Sequence, residues 1–404
     1  MSKNSKKKKK NKKKKNNNYS FFMNSNFTIF EVILFIFSSI IFGMIAGCIL
    51  TYSSSSLSLI RSDSNLSEII NTYKNLSNNY YGKVSSDDLE NAAIKGMIES
   101  LDDPNSIFLS DNYSDDFNES VDGKYIGIGI DVALEDDYYK IINVKKDSTA
   151  EEAGLKVGDY IIKIDDVDCK NITSDELSSL VSGNINSTLK MTVNRDDEEK
   201  NFTVKRMYID IINVSDQIYT ANNKKIGYIN ISLFSSNTYN QFLESYKTIS
   251  NEGIDSLIID LRNNPGGHLN QARKILEIFF NKKTILYQLK NKDKITKVYS
   301  SNNKKTNYPI VILINEDSAS AAEVIAACFK DNYKKATIIG TNSYGKSTVQ
   351  KSQTLTTGRT IKYTVEEWLT PKGKSIEGKG VTPDIVVFND GNDLQLVEAI
   401  NTLK

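Results

Sequence analysis

Two junctions in the C-terminal half of this chain bring together residue types capable of acyl chemistry. One reads Asn315-Glu316-Asp317-Ser318-Ala319-Ser320-Ala321-Ala322-Glu323 and follows an apolar run ending at Ile314. A serine opening a helix among small residues has an accessible hydroxyl, and the helix N–H groups lie near any developing negative charge. Serines also cap helices routinely, a role open to both Ser318 and Ser320. The other junction is Asp260-Leu261-Arg262-Asn263-Asn264-Pro265-Gly266-Gly267. A Pro-Gly-Gly turn at a strand end exposes backbone N–H groups, as an oxyanion hole requires, although an ordinary tight turn uses the same residues.

A nucleophilic serine needs a base. The chain holds one histidine, His268, directly after the Pro-Gly-Gly turn. Lysine serves as well when desolvation favours its neutral amine. The lysine candidate is Lys346 in Asn342-Ser343-Tyr344-Gly345-Lys346-Ser347-Thr348-Val349-Gln350, where Gln350 falls on the same face and could hydrogen-bond the amine. Cys48, Cys169 and Cys328 form no CxxC pair and no His/Cys cluster exists, so no zinc site, metal or other cofactor is expected. Cys169 and Cys328 read as buried free thiols.

The elements that must position these residues are short and Ile-rich. Runs at 226–231, 257–261, 309–314 and 336–340 read as strands buried on both faces, with helical patterns at 269–280 and 319–329. That order predicts an α/β core of βαβ units over 206–404, with the lysine's strand beside the serine's. Residues 119–205 read as a mostly β module. Strands are expected at 125–132 (YIGIGIDV), 139–144, 160–164 and 188–194, with a capped helix at 173–181. Gly127 and Gly129 leave backbone N–H groups free to receive a terminal carboxylate, or else mark a bulge. Upstream, 65–118 is read as a helical region, with Asp87-Asp88 capping a helix that Asp102-Asp103-Pro104 ends.

The chain begins with ten lysines among its first fifteen residues, and the rest carries 41 basic against 50 acidic residues. A basic tail on an acidic body argues against a nucleic-acid enzyme. Residues 32–50 hold no charge and are about long enough to cross a bilayer. The expected order is a cytoplasmic tail over 1–26, a single-pass signal anchor over 27–51 and a Ser-rich linker over 52–64. The lysines hold the N-terminus inside, leaving the remainder outside the membrane. Lipoprotein processing at Cys48, suggested by Ile45-Ala46-Gly47-Cys48, is the other route to a tether.

The 119–205 module, with Ala153-Gly154-Leu155 and Gly158-Asp159, closely resembles a PDZ domain. The stretches DLRNNPGG, NEDSASAAEV and SYGKSTVQ, in that order behind it, resemble the C-terminal processing peptidases, or tail-specific proteases. The resemblance runs from DLENAAIKGMIESLDDP to TPKGKSIEGKGVTPD. It implies an α/β serine peptidase with an inserted PDZ domain, here preceded by one transmembrane helix. It implies Ser320 as nucleophile rather than Ser318, Lys346 as general base, Gln350 orienting the lysine, and an oxyanion hole from Gly266 and Ala321. Peptide tails are expected at Ile126, Gly127, Ile128 and Gly129 of the PDZ domain. The implied source is bacterial. Expected partners are proteins with exposed C-terminal tails, with a homodimer through the upstream helices and a regulatory protein as further arrangements. The sequence departs from the family pattern at Ala322, at His268 and at Ser182, where many members carry an arginine thought to couple the PDZ domain to the active site. The alternative is a catalytically inactive PDZ scaffold, which intact Ser320, Lys346 and Gln350 oppose.

Overall fold

A computed structural model describes residues 28–52, 64–109, 123–303 and 306–404. The polybasic tail and all but the ends of the 52–64 linker lie outside the described residues. The chain divides into two units, 1–90 and 91–404. In the first, helix α1 (Ile29–Tyr52) is uncharged after Glu31, and its stretch Phe30–Gly47 has a mean hydropathy of 2.2 with none of it buried in the chain. It is the one helix among the described residues long and apolar enough to cross a membrane. Helix α2 (Ser64–Asn79) and helix α3 (Ser86–Glu99) follow, so the helical pattern is interrupted between them. Helix α3 ends at Glu99, just ahead of the expected Asp102-Asp103-Pro104 stop, and the region read as helical over 65–118 also holds a strand. Strand β1 (Ile107–Leu109) lies inside that range, its extended backbone stabilised by pairing with a strand more than 250 residues away.

In the second unit, strand β2 (Lys124–Gly127) begins the mostly β module. Then come β3 (Ile130–Glu135), β4 (Tyr138–Val144), helix α4 (Thr149–Ala153), β5 (Tyr160–Ile164), β6 (Val167–Asp168), helix α5 (Ser174–Val181), β7 (Thr188–Arg195) and β8 (Glu198–Lys205). The sheet order is β3-β4-β5-β7-β8, which leaves β3 at an edge. Strand β9 (Met207–Asp210) then pairs antiparallel with β2, so the chain enters and leaves the module side by side. The continuous strand expected over 125–132 is two strands. Ile128 is 1% exposed and packs in the module's core, and the chain turns at Gly129, whose φ is +86°. A Cβ there would lie 2.4 Å from that of Ser148, so only glycine fits. Helix α5 starts with a capping box between Thr173 and Glu176. At its other end the buried Arg206 guanidinium donates to the carbonyls of Leu180 and Val181, both at 2.8 Å.

The remaining elements are β10 (Val214–Ala221), β11 (Lys224–Ile231), α6 (Thr238–Asn251), β12 (Ser256–Asp260), α7 (Leu269–Phe279), β13 (Ile285–Lys290), β14 (Ile295–Tyr299) and β15 (Ile310–Ile314). After these come α8 (Ala321–Asn332), β16 (Ala336–Gly340), β17 (Thr348–Thr354), β18 (Thr360–Leu369), β19 (Ile385–Val386) and α9 (Leu394–Leu403). The central sheet runs β10-β11-β12-β15-β16-β19, parallel from β11 onward. Every residue of β12 and β15 is buried, as strands covered on both faces must be. One face packs on α6, α7 and α8 through Phe242, Phe279 and Phe329, and the other on Ala399 and Leu403 of α9. The serine and lysine strands are neighbours, β15 beside β16, as expected. A second, antiparallel sheet, β1-β18-β13-β14 with β17 on β18, was not read from the sequence.

A charged cluster ties α9 to the central sheet. Arg262 donates to Asp260 at 2.6 Å and to Asp393, the cap of α9, at 2.5 Å, while Tyr228 donates to Asp260 at 2.8 Å. Asp260 is 2% exposed. Removing one member of a buried pair leaves the other charge uncompensated, which costs about 3–5 kcal/mol. Arg262→Ala is therefore expected to lower the unfolding free energy by about that amount in urea, followed by fluorescence of the buried Trp368, the single tryptophan. A loss below about 1 kcal/mol would mean that solvent, not Arg262, compensates Asp260.

Candidate active site

The two junctions meet at the C-terminal ends of β12 and β15, where open α/β sheets place their crevices. The buried Ser318 hydroxyl donates to the carbonyl of Leu261 at 2.8 Å, and Ala319 N–H donates to the carbonyl of Asn264 at 2.9 Å. Ser318 is thus a fastener between the junctions. Ser320 occupies the N-cap of α8 with φ +53° and ψ −112°. That conformation is rare for a residue with a side chain and costs on the order of 1–3 kcal/mol, so the surroundings must impose it.

Much of that constraint comes from Glu323, one turn into α8 and fully buried. Its Oε2 accepts from the backbone N–H of Ser320 at 2.8 Å and of Lys346 at 2.9 Å. Its Oε1 accepts from Gly345 N–H at 2.7 Å and from the Ser343 hydroxyl at 2.5 Å. Burial pushes this carboxyl above the usual range, while the bonds from Ser343, Lys346, Gly345 and Ser320 pull back toward the ionised form. One carboxylate therefore spans the serine and lysine segments. The sequence reading assigned Glu323 no role; its available signal was a lone acid within the small apolar run 321–329.

A cleft of about 360 Å³ lies over Ser320, bounded by Lys346, Gln350, His268, Lys362 and Trp368. Ser320, Lys346 and Gln350 are thus brought together. Trp368 Nε1 donates to the Lys346 carbonyl at 3.1 Å and so steadies that segment. The Gln350 amide donates to Thr364 Oγ1 at 3.3 Å. His268 lines the same cleft, and its Nε2 is buried with no hydrogen-bond partner among the described residues. Lys362 of β18 was missed by the sequence reading, because nothing in the chain order points that strand at the cleft. Burial, and secondarily the charge of Lys346, lower its pKa.

Gly266 packs directly on the serine. At φ +103°, a Cβ on it would lie 2.8 Å from Ser320 Cβ and 3.2 Å from Ala321 N. The two expected oxyanion donors are therefore adjacent, although Gly266 N–H also donates to Asn264 Oδ1 at 2.8 Å. In the β module, Ile126 and Gly127 belong to the ribbon with β9, whereas Ile128 and Gly129 lead into edge strand β3.

Residues 225–387 match peptidase family S41, 127–205 match the PDZ domain, and 50–112 match the activating protease CtpB N-terminal domain. Residues 225–387 are a peptidase family S41 domain. It is 37% identical over 327 residues to a "Probable CtpA-like serine protease" of Staphylococcus aureus (strain bovine RF122 / ET3-1), covering 80% of this chain and 65% of that one. The namesake in Staphylococcus haemolyticus (strain JCSC1435) is 36% identical over 315 residues, covering 77% of this chain and 62% of that one. The chain thus spans just under two thirds of the length of these curated relatives. A solved photosystem II D1 C-terminal processing protease shares the fold, with a TM-score of 0.51 at 22% identity over 85% of this chain and 92% of that one.

Glu323 generates a stability prediction. Glu323→Ala leaves three backbone N–H groups without their acceptor, at about 1–3 kcal/mol for the buried one at Gly345 and less for the part-buried ones at Ser320 and Lys346. Its urea midpoint is expected to fall well below that of Glu323→Gln, whose remaining carbonyl oxygen keeps part of the set. Equal midpoints for the two variants would show that the acceptor role is not what the carboxylate contributes.

Proposed function

We propose that this S41 chain is a membrane-tethered serine endopeptidase that cleaves exported proteins captured by their C-terminal or unfolded tails. The observation that carries the reading is the Glu323 carboxylate holding the Ser320 and Lys346 segments at the mouth of one cleft, against the Pro-Gly-Gly turn. In the proposed reaction Lys346, as the neutral amine, takes the proton of Ser320 Oγ as that oxygen attacks the scissile carbonyl carbon. The resulting oxyanion is met by the N–H groups of Ala321 and Gly266, the latter turning part of its bond with Asn264 toward substrate. Collapse expels the amine, which takes the proton from Lys346 and leaves an ester on Ser320. Lys346 then deprotonates a water that attacks this ester, releasing the carboxylic acid and restoring the serine. Gln350 orients the amine throughout.

The PDZ domain supplies capture in this reading. An extended tail adds to edge strand β3 beside α5, its terminal carboxylate received by backbone N–H groups near Ile128 and Gly129. Helix α1 is the anchor, held N-terminus inside by the lysine tail, which places the catalytic unit outside the cytoplasm. A cleaved signal sequence is the other use of such a helix, and sequencing the N-terminus of the mature protein from cells separates the two.

The test is cleavage of casein by the full chain in detergent micelles. Ser320→Ala and Lys346→Ala are each expected to lose activity by about 10³-fold or more, while His268→Ala stays within about tenfold of wild type. The chelator EDTA is expected to leave the rate unchanged. Cleavage that survives Lys346→Ala would overturn the dyad. A wild-type chain that binds tails and cuts none would make the protein a scaffold. For capture, amidating the C-terminus of a tail peptide is expected to weaken its binding about tenfold or more by removing the carboxylate charge; unchanged affinity would exclude terminal recognition.

A further inference from the structure

A chain of hydrogen bonds runs to the back of the cleft from a segment far upstream. After α3, Asp103 accepts from Asn105 N–H at 2.9 Å and, through Oδ2, from the Ser106 hydroxyl at 2.6 Å. The buried Ser106 Oγ accepts in turn from the backbone N–H of Thr364 in β18 at 3.1 Å. The Thr364 hydroxyl oxygen accepts from the Gln350 amide at 3.3 Å. Gln350 and Thr364 are cross-strand partners, and the register shifts between Val349 and Gln350, a bulge of the kind that re-aims the side chain after it. The adjoining pairing of β1 with β18 holds Ser106 in place.

The direction of this chain matters more than its existence. Burial raises the Asp103 carboxyl, but bonds from Ser106, Thr364 and Asn105 outweigh it and hold the group below the usual carboxylate range. An ionised carboxylate can only accept. The Ser106 proton therefore points at Asp103, leaving the serine's lone pair for Thr364 N–H. The Thr364 hydroxyl likewise favours Asp103, leaving its own lone pair for the NH2 end of Gln350. What remains at the other end of that amide is Oε1, an acceptor, in the cleft that holds Lys346. The distinction is chemical. An amide NH2 facing the lysine would compete for the lone pair that must take the serine proton, whereas a carbonyl oxygen accepts an amine N–H and leaves the lone pair directed elsewhere.

We infer that Asp103 is a positioning residue for the reaction. Through Ser106 and Thr364 it fixes which end of the Gln350 amide meets Lys346. The inference rests on the reading of Lys346 as the base, and the experiment separates the two.

Steady-state kinetics on a fluorogenic peptide cut by the full chain supply the test, with Thr364→Val, Thr364→Ser and Asp103→Ala each made alone and combined with Gln350→Ala. Thr364→Val keeps the shape and the β preference but loses the hydroxyl. It is expected to lower kcat about 10–100-fold with KM within about twofold, and Thr364→Ser to restore most of the rate. In the Gln350→Ala background, neither Thr364→Val nor Asp103→Ala is expected to cost more than about a further twofold, because the amide they orient is gone. Losses that multiply in full, a change confined to KM, or a Gln350→Ala variant as fast as wild type would each overturn the inference. If Asp103→Ala does not fold, the Thr364 pair carries the test alone. Turnover that survives Ser320→Ala would instead overturn the serine-lysine reading, and this inference with it.

Discussion

The Glu323 carboxylate sits where two parts of the chain must agree. Its four donors come from the start of its own helix and from the 343–346 segment after the neighbouring strand. Three are backbone N–H groups, buried at Gly345 and part-buried at Ser320 and Lys346, where an unmet donor is expensive. Satisfying them at once fixes the strained backbone of Ser320 and the path of the chain at Lys346. The geometry between the Ser320 and Lys346 segments therefore depends on main chain held by one carboxylate, and hardly on flexible side chains. The same groove then admits the Pro-Gly-Gly turn only because Gly266 has no side chain to collide with Ser320.

The central parallel sheet supplies the platform. Strands buried on both faces align the ends of β12, β15 and β16, so the loops that leave them converge on one crevice. Arg262 closes the neighbouring end by pairing with Asp260 and the cap of α9. The second sheet completes the cleft from the opposite side, contributing Gln350, Lys362, Thr364 and Trp368. Segments from both sheets thus line one cleft.

The PDZ domain is attached through the β2–β9 ribbon, and Arg206 stands where β8 hands over to β9. Its guanidinium holds the last carbonyls of α5 and reaches Thr188 O and Ser187 Oγ. A single buried side chain therefore joins the end of α5 to the strand leading into the peptidase core. Ser182 caps α5 with its backbone N–H, which donates to the Ser178 carbonyl.

Much of the α/β core was legible in the residue order. Runs such as 257–261 and 309–314 are uninterrupted and apolar because both faces are covered, and the small residues around Ser320 announce a close helix start. The serine, lysine and glutamine followed from motif resemblance, which reports local chemistry. The second sheet was not legible. Its strand β17 (TVQKSQT) is mostly polar and β18 (TIKYTVEEWL) mixes polar, charged and apolar residues, and its first member pairs across more than 250 residues, a contact no local pattern encodes. The single strand expected over 125–132 failed for a related reason, since the chain turns at Gly129, packed so close to Ser148 that no Cβ would fit, and that neighbour is one only folding supplies. By itself the sequence determined the residue types gathered at the cleft and the strands that lead to it, because both depend on local composition. The orientation of Gln350, the entry of Lys362 into the cleft and the Glu323 clasp were decided by tertiary structure, because each depends on partners brought together across the chain.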